Sequence, residues 1–284
     1  MSRRLLVPAA AAAAASALLA APATSAPFNP TRISVVTRGS GPDVILIPGL
    51  AASRGIWSST AAAVPGYRYH FVQVAGFGGT PVGGNKAGPV AAAVANEIAG
   101  YIAARRLNRP AVVGHSMGGS IALMIGARHP DAAGKVMVVD MLPSPARPFG
   151  LAGPAVKPIA RLIGDEVRRA DRFRRGLKPL LARFGNANWL ESGSDSGVVG
   201  RSVEELTATD LTPELRRIRA PLTVVYACSA TLQYACGQTG RVFARAYSPR
   251  PGTRLIRIER SGHTIMWDQP ALFQATLRDF LAAR

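Results

Sequence analysis

The chain has 284 residues, 48% apolar and only 18% charged, enough to bury one sizeable core with a smaller unit attached; this excludes a disordered or fibrous protein. With 34 Lys and Arg against 16 Asp and Glu the formal charge is +18, which favours anionic surroundings such as lipopolysaccharide or acidic lipid and makes a weak association with an anionic envelope surface one expectation. A compositional preference for Arg, plus solubility, is the plainer account, and no zinc-finger spacing, RNA-binding signature or aromatic-interleaved basic stripe points to nucleic acid.

In chain order, residues 1–26 come first: MSRRLLVPAAAAAAASALLAAPATSA has two Arg, an apolar run and then small residues, the layout of a secretory signal peptide. Pro8 and Pro22 confine the run to less than the roughly 20 residues of a membrane span. Cleavage is expected after Ala23 or Ala26, giving a periplasmic or secreted protein of 32 basic and 16 acidic residues. TRISVVTRG from Thr31, DVILIPG from Asp43 and YRYHFVQVAG from Tyr67 read as strands. Residues 87–107 form an amphipathic helix pattern with basic residues in its last turn. PAVVGHS is a strand, SMGGSIALMIGARHP a helix ended by Pro130, and GKVMVVD a strand ending at Asp140.

The rhythm then changes. From Met141 to about Ala220 no strand is convincing, whereas Ile159, Leu162, Ile163, Val167, Phe173, Leu177, Leu180, Leu181 and Phe184 recur at helical spacing among many arginines. LTVVY and TRLIRIE resume the strands, and PALFQATLRDFLAAR closes as a helix. Alternating strands and helices imply a mostly parallel α/β sheet with helices on both faces. The expected organisation is a core over 27–141, a helical cap over 142–218 and the rest of the core over 219–284. Pro221 to Gly240 reads as a buried strand running into a loop, and it holds both cysteines, Cys228 and Cys236. Export and an even count favour a disulfide between them, with buried free thiols as the alternative.

Gly114-His115-Ser116-Met117-Gly118 matches G-x-S-x-G, with a buried strand entering and an apolar helix leaving, the strand-turn-helix that lifts a serine above a sheet. The helix N-terminus behind Ser116 favours negative charge. The Met117 amide is therefore one oxyanion donor candidate; the second is Leu50, with Ala51 behind it, in the IPGLAAS turn after the second strand. A serine needs a base, and there are four histidines. His115 lies inside the turn, His129 at a helix end on the other edge, and His70 in a strand. His263, in the RSGHT loop after the last strand, is at the same sheet edge as Ser116.

With IPGL upstream, the elbow serine, a helical insertion and a terminal SGH, the chain resembles the α/β-hydrolase superfamily over nearly all of its length after residue 26. The resemblance implies an eight-stranded, largely parallel sheet with a helical cap inserted after the sixth strand. Ser116 at the nucleophile position disfavours dehalogenases and epoxide hydrolases, which carry Asp there. The acid in this family often follows the strand LTVVY, but no Asp or Glu occurs between Glu214 and Glu259. Glu259 and Asp268 are near His263 but badly oriented, so Asp140, at the end of the strand beside the elbow strand, is the expected acid; some members of the superfamily carry theirs there. A structural Asp140 with an acid-free Ser/His dyad, or Asp210 folding in, are the alternatives.

Together these imply acyl transfer to water, with esters the foremost substrates. Thioesters, lactones, carbon-carbon bonds and acyl transfer to another alcohol use the same machinery, and a non-catalytic ligand- or envelope-binding protein on this fold is the other class. No metal or organic cofactor is implied, and the expected partner is a small-molecule ester or acyl substrate.

Overall fold

The computed structural model describes residues 28–150, 156–169, 193–228 and 233–283. Residues 1–26, expected to be a signal peptide, and the apolar positions from Phe173 to Phe184 lie outside the described residues. Seven strands form one sheet: β1 (Ile33–Arg38), β2 (Asp43–Ile47), β3 (Arg68–Val74), β4 (Ala111–His115), β5 (Lys135–Val139), β6 (Leu222–Cys228) and β7 (Arg254–Glu259), in the order β1-β3-β2-β4-β5-β6-β7. Only β1 runs antiparallel to its neighbour. The resemblance implied eight strands with the insertion after the sixth; among the described residues there are seven, and helices intervene between the fifth and the sixth.

The central strands are buried on both faces, as in parallel sheets generally: Val44 to Ile47, Val112, Val113 and Val136 to Val139 are all fully enclosed. Helices α1 (Ser58–Ala63), α2 (Ala91–Ala104), α3 (Met117–Arg128), α4 (Val156–Arg169), α5 (Ser196–Ala208), α6 (Gln233–Tyr247), α7 (Ile265–Asp268) and α8 (Pro270–Ala282) complete the described fold. At the edge away from the C-terminal ends of β4 and β5, Asp43 accepts from Arg68 and contacts His70 Nε2 at 2.7 Å, while His70 Nδ1 meets the Tyr101 hydroxyl at 2.8 Å. His70 is therefore a buried packing residue.

One expectation fails. The stretch from Pro221 to Gly240 does not end as a loop, because α6 starts at Gln233. Phe243 stacks on Tyr226 at 4.6 Å and Tyr247 is buried one turn further on, so apolar contacts at i and i+4 hold a helix that its small residues disguise.

Helices α4 and α5 pack so closely at Gly164 and Gly200 that a Cβ on Gly200 would stand 2.6 Å from the Gly164 carbonyl oxygen. Arg168 joins them, bonding Asp165 and Glu204; it is thus engaged within the insertion. Val167 is buried, whereas Leu162 is 66% exposed. The pair is latched to the core by Glu205, whose carboxylate accepts from the Val90, Ala91 and Ala92 amides. These are donors that the first turn of α2 cannot satisfy internally, and they favour negative charge. Glu205→Gln is expected to lower unfolding stability by about 1–3 kcal/mol, measured by urea denaturation; an unchanged midpoint would mean that the latch contributes nothing.

Candidate active site

β4 ends at His115 and α3 begins at Met117, so Ser116 alone makes the turn. It sits at φ 53°, ψ −122°, a backbone that costs about 1–3 kcal/mol and persists only where its surroundings over-determine it. They do so here. A Cβ on Gly114 would stand 1.9 Å from the Gly118 oxygen, and one on Gly118 would stand 2.4 Å from the Ile47 oxygen. The Ser116 amide donates to the Val139 oxygen at 2.9 Å, tying the turn to β5. Met117 opens α3, so its N–H is one of the four that intrahelical bonding leaves over.

The turn after β2 packs directly on this elbow: a Cβ on Gly49 would be 3.1 Å from Ser116 Cβ. Ala52 N–H donates to the Gly49 oxygen at 3.3 Å, closing a four-residue turn with Leu50 and Ala51 at its centre. Ala51 stands at φ 57°, where an L-residue is strained. Both are buried, so the turn that carries the two amides lies beside Ser116.

His263 and Asp140 meet. His263 Nδ1 donates to Asp140 Oδ2 at 2.7 Å, and each side chain is 15% exposed. Asp140 is itself fixed at two points of the β6 edge: its N–H donates to the Val225 oxygen at 2.7 Å, and its Oδ1 accepts from Ala227 N–H at 2.9 Å. The His263 main chain is held by His115, whose Nε2–H donates to the His263 oxygen at 2.9 Å. With Nδ1 on the carboxylate, Nε2 is the ring nitrogen through which the imidazole can act as a base.

The other acids weighed from the sequence lie elsewhere. Glu259 pairs with Arg257 at 2.6 Å on the exposed end of β7, and Asp210 accepts from the Thr212 amide. Asp268 has a role that sequence did not reveal: its Oδ2 accepts from Gly262 N–H at 2.8 Å, bracing the loop just before His263. Tyr247 was missed too. Its hydroxyl donates to the Met141 oxygen at 2.7 Å, and burial first, then the charge of Asp140, raises its pKa well above the usual value. His129 bonds Asn96 on the far side. Cys228 and Cys236 face one another with Cα atoms 5.2 Å apart. Among the described residues no group of three or more His, Cys, Asp or Glu is arranged to hold a metal ion. A cavity of about 780 Å³ opens between α4, the C-terminal half of α5 and Gly88–Pro89; Ser116 does not line it.

A serine on a strained strand-to-helix turn, beside an Asp–His pair at one edge of a parallel sheet, defines a hydrolase of the α/β class. The sequence profile of the alpha/beta hydrolase family matches residues 44–276, and the chain belongs to that family as a hydrolase. It is 24% identical over 255 residues to the N-formylmaleamate deformylase of Pseudomonas putida, covering 86% of this chain and 90% of that one. To the pimeloyl-(acyl-carrier protein) methyl ester esterase of Aeromonas hydrophila it is 22% identical over 272 residues, 88% of this chain and 99% of that one. The enol-lactonase of Burkholderia xenovorans superposes with a TM-score of 0.65 at 20% identity, over 89% of this chain and 97% of that one. A thermophilic esterase of Thermogutta terrifontis superposes at 0.67 and 19% identity, over 88% and 92%. These two structures share the fold.

Burial, with the nearby His263 second, pushes the His115 pKa from 6.5 down to about 3. The unfolded chain therefore takes up a proton below pH 6.5 that the native state refuses until about pH 3, so this group's contribution falls as pH falls through that window. His115→Gln, which keeps a donor for the His263 oxygen, is expected to flatten the profile. Between pH 7 and 5 wild type should lose about 2 kcal/mol more than the variant. Parallel profiles from urea unfolding would contradict a neutral, buried His115.

Proposed function

We propose that the protein is an exported serine hydrolase that cleaves a carboxylic ester or a related small acyl substrate through an acyl-enzyme on Ser116. The observation that carries this reading is the 2.7 Å pair of Asp140 and His263 at the sheet edge where Ser116 is held in its strained turn. His263 Nε2 takes the Ser116 hydroxyl proton as Oγ bonds the carbonyl carbon. Oxyanion charge is met by the Met117 and Leu50 amides. His263 then gives the proton to the departing alcohol as the C–O bond breaks, and water repeats the sequence to release the acid. Asp140 sets the imidazole tautomer and stabilises its cation.

The names of relatives support the substrate class: one is a methyl ester esterase and one a deformylase. Esters rank first because an alcohol leaves more readily than an amine. Residues 1–26 act as the export signal, residues 142–218 as the cap that shapes the substrate space, and Cys228–Cys236 as a disulfide made after export. Iodoacetamide applied without reductant to protein from an oxidising compartment should leave both cysteines unmodified; alkylation of either would argue against the bond.

A fluorophosphonate probe is expected to label wild type rapidly and Ser116→Ala not at all. Asp140→Asn should label slower by a factor approaching the roughly 10⁴ associated with a wrong tautomer. Labelling of Ser116→Ala at the wild-type rate would reject the nucleophile, and wild-type labelling of Asp140→Asn would reject the acid.

A further inference from the structure

Ser194, in the helical insertion, reaches back to two loops of the core at once. Its Oγ accepts from Gly78 N–H at 3.0 Å and donates to the Ala51 oxygen at 3.1 Å. The residues around it are docked as firmly: Asp195 N–H donates to the Gly76 oxygen at 2.7 Å, and the Asp195 carboxylate caps α5 through Val198 N–H at 2.8 Å. Val198 in turn lies so close to Gly76 that a Cβ there would be 2.6 Å from its Cγ2. Ser194 is thus held in place from its own side.

The same two loops are joined from the core side by buried Gln73. Its Oε1 accepts from Arg54 N–H at 2.8 Å and its Nε2 donates to the Phe77 oxygen at 3.0 Å. The turn of Leu50 and Ala51 therefore has a support from the sheet and a support from the insertion. We propose that Ser194 is a positioning residue for the oxyanion turn, a reading that rests on the roles given above to Ser116, Met117 and Leu50.

The physical need for it is the conformation of Ala51. At φ 57° an alanine is held against a steric preference of about 1–2 kcal/mol. Rotation about the Ala51 N–Cα bond relieves the strain by returning Ala51 to negative φ, but it swings the Ala51 carbonyl and carries off the Ala52 N–H that closes the turn on the Gly49 oxygen, so the Leu50 N–H is no longer held in place. The bond from Ser194 to the Ala51 oxygen opposes that rotation. Because the donor acts on charge that develops only in the transition state, loss of Ser194 falls on kcat and leaves substrate binding alone.

The test uses p-nitrophenyl butyrate for turnover and an alkyl trifluoromethyl ketone, which adds the serine Oγ to give a hemiketal oxyanion, for inhibition. Ser194→Ala is expected to lower kcat about tenfold or more with KM within about twofold, and to weaken the ketone by the same factor. Ser194→Thr keeps the hydroxyl and should recover most of both; Ser194→Cys, which fills the space with a weak donor, carries the Ala expectation if Ser194→Ala does not fold. Glu205→Gln loosens the other end of α5 and should leave ketone affinity within about twofold of wild type. A wild-type kcat in Ser194→Ala, or equal losses in Glu205→Gln, would overturn the role of Ser194 while an inactive Ser116→Ala leaves the site intact. Wild-type turnover in Ser116→Ala would overturn the reading of the site and the proposal with it.

Discussion

A carboxylate and an imidazole 123 residues apart in sequence meet at 2.7 Å, and the arrangement of the sheet is what permits it. β4, β5 and β6 lie side by side and parallel, so Ser116 and Asp140 leave the sheet at one edge, next to Ala227 near the end of β6. The Ser116 amide bonds to β5 and the Asp140 amide to β6. Each strand end is thereby referenced to the next, and His263 is referenced to both through Asp140 and through the donor on His115. Asp140 also sits at φ 51°, a conformation that is retained only because its amide and its carboxylate are both bound.

Much of this was legible in the sequence because it depends on local pattern. Strand, G-x-S-x-G and apolar helix are contiguous, and the Gly requirement at 114 and 118 comes from close backbone approach within a few residues. Asp140 was reached by elimination: a stretch without Asp or Glu from 215 to 258 left the loop after β6 with no acid to offer. The register of β5 against β6 then accounts for its reach.

What escaped the sequence is long-range. Glu205 caps a helix 113 to 115 residues away, and Ser194 bonds a carbonyl 143 residues away; no spacing rule connects such pairs. α6 escaped for a different reason. Its Gly237, Gly240 and Cys236 dilute the helical pattern, and the Phe243 and Tyr247 pair that binds it to Tyr226 comes only in its second half. The role of His115 is hidden by its position within the motif, where packing is the natural reading; its donor to the His263 oxygen makes it a brace between the elbow and the His263 loop.

Asp140 holds the His263 imidazole by a hydrogen bond at Nδ1. Proton NMR of the folded protein tests it directly, since a proton shared between imidazole and carboxylate resonates far downfield of the amide envelope. One such resonance is expected, retained in Ser116→Ala and abolished in Asp140→Asn. A downfield resonance that survives Asp140→Asn would place another acceptor on His263 and remove Asp140 from that role.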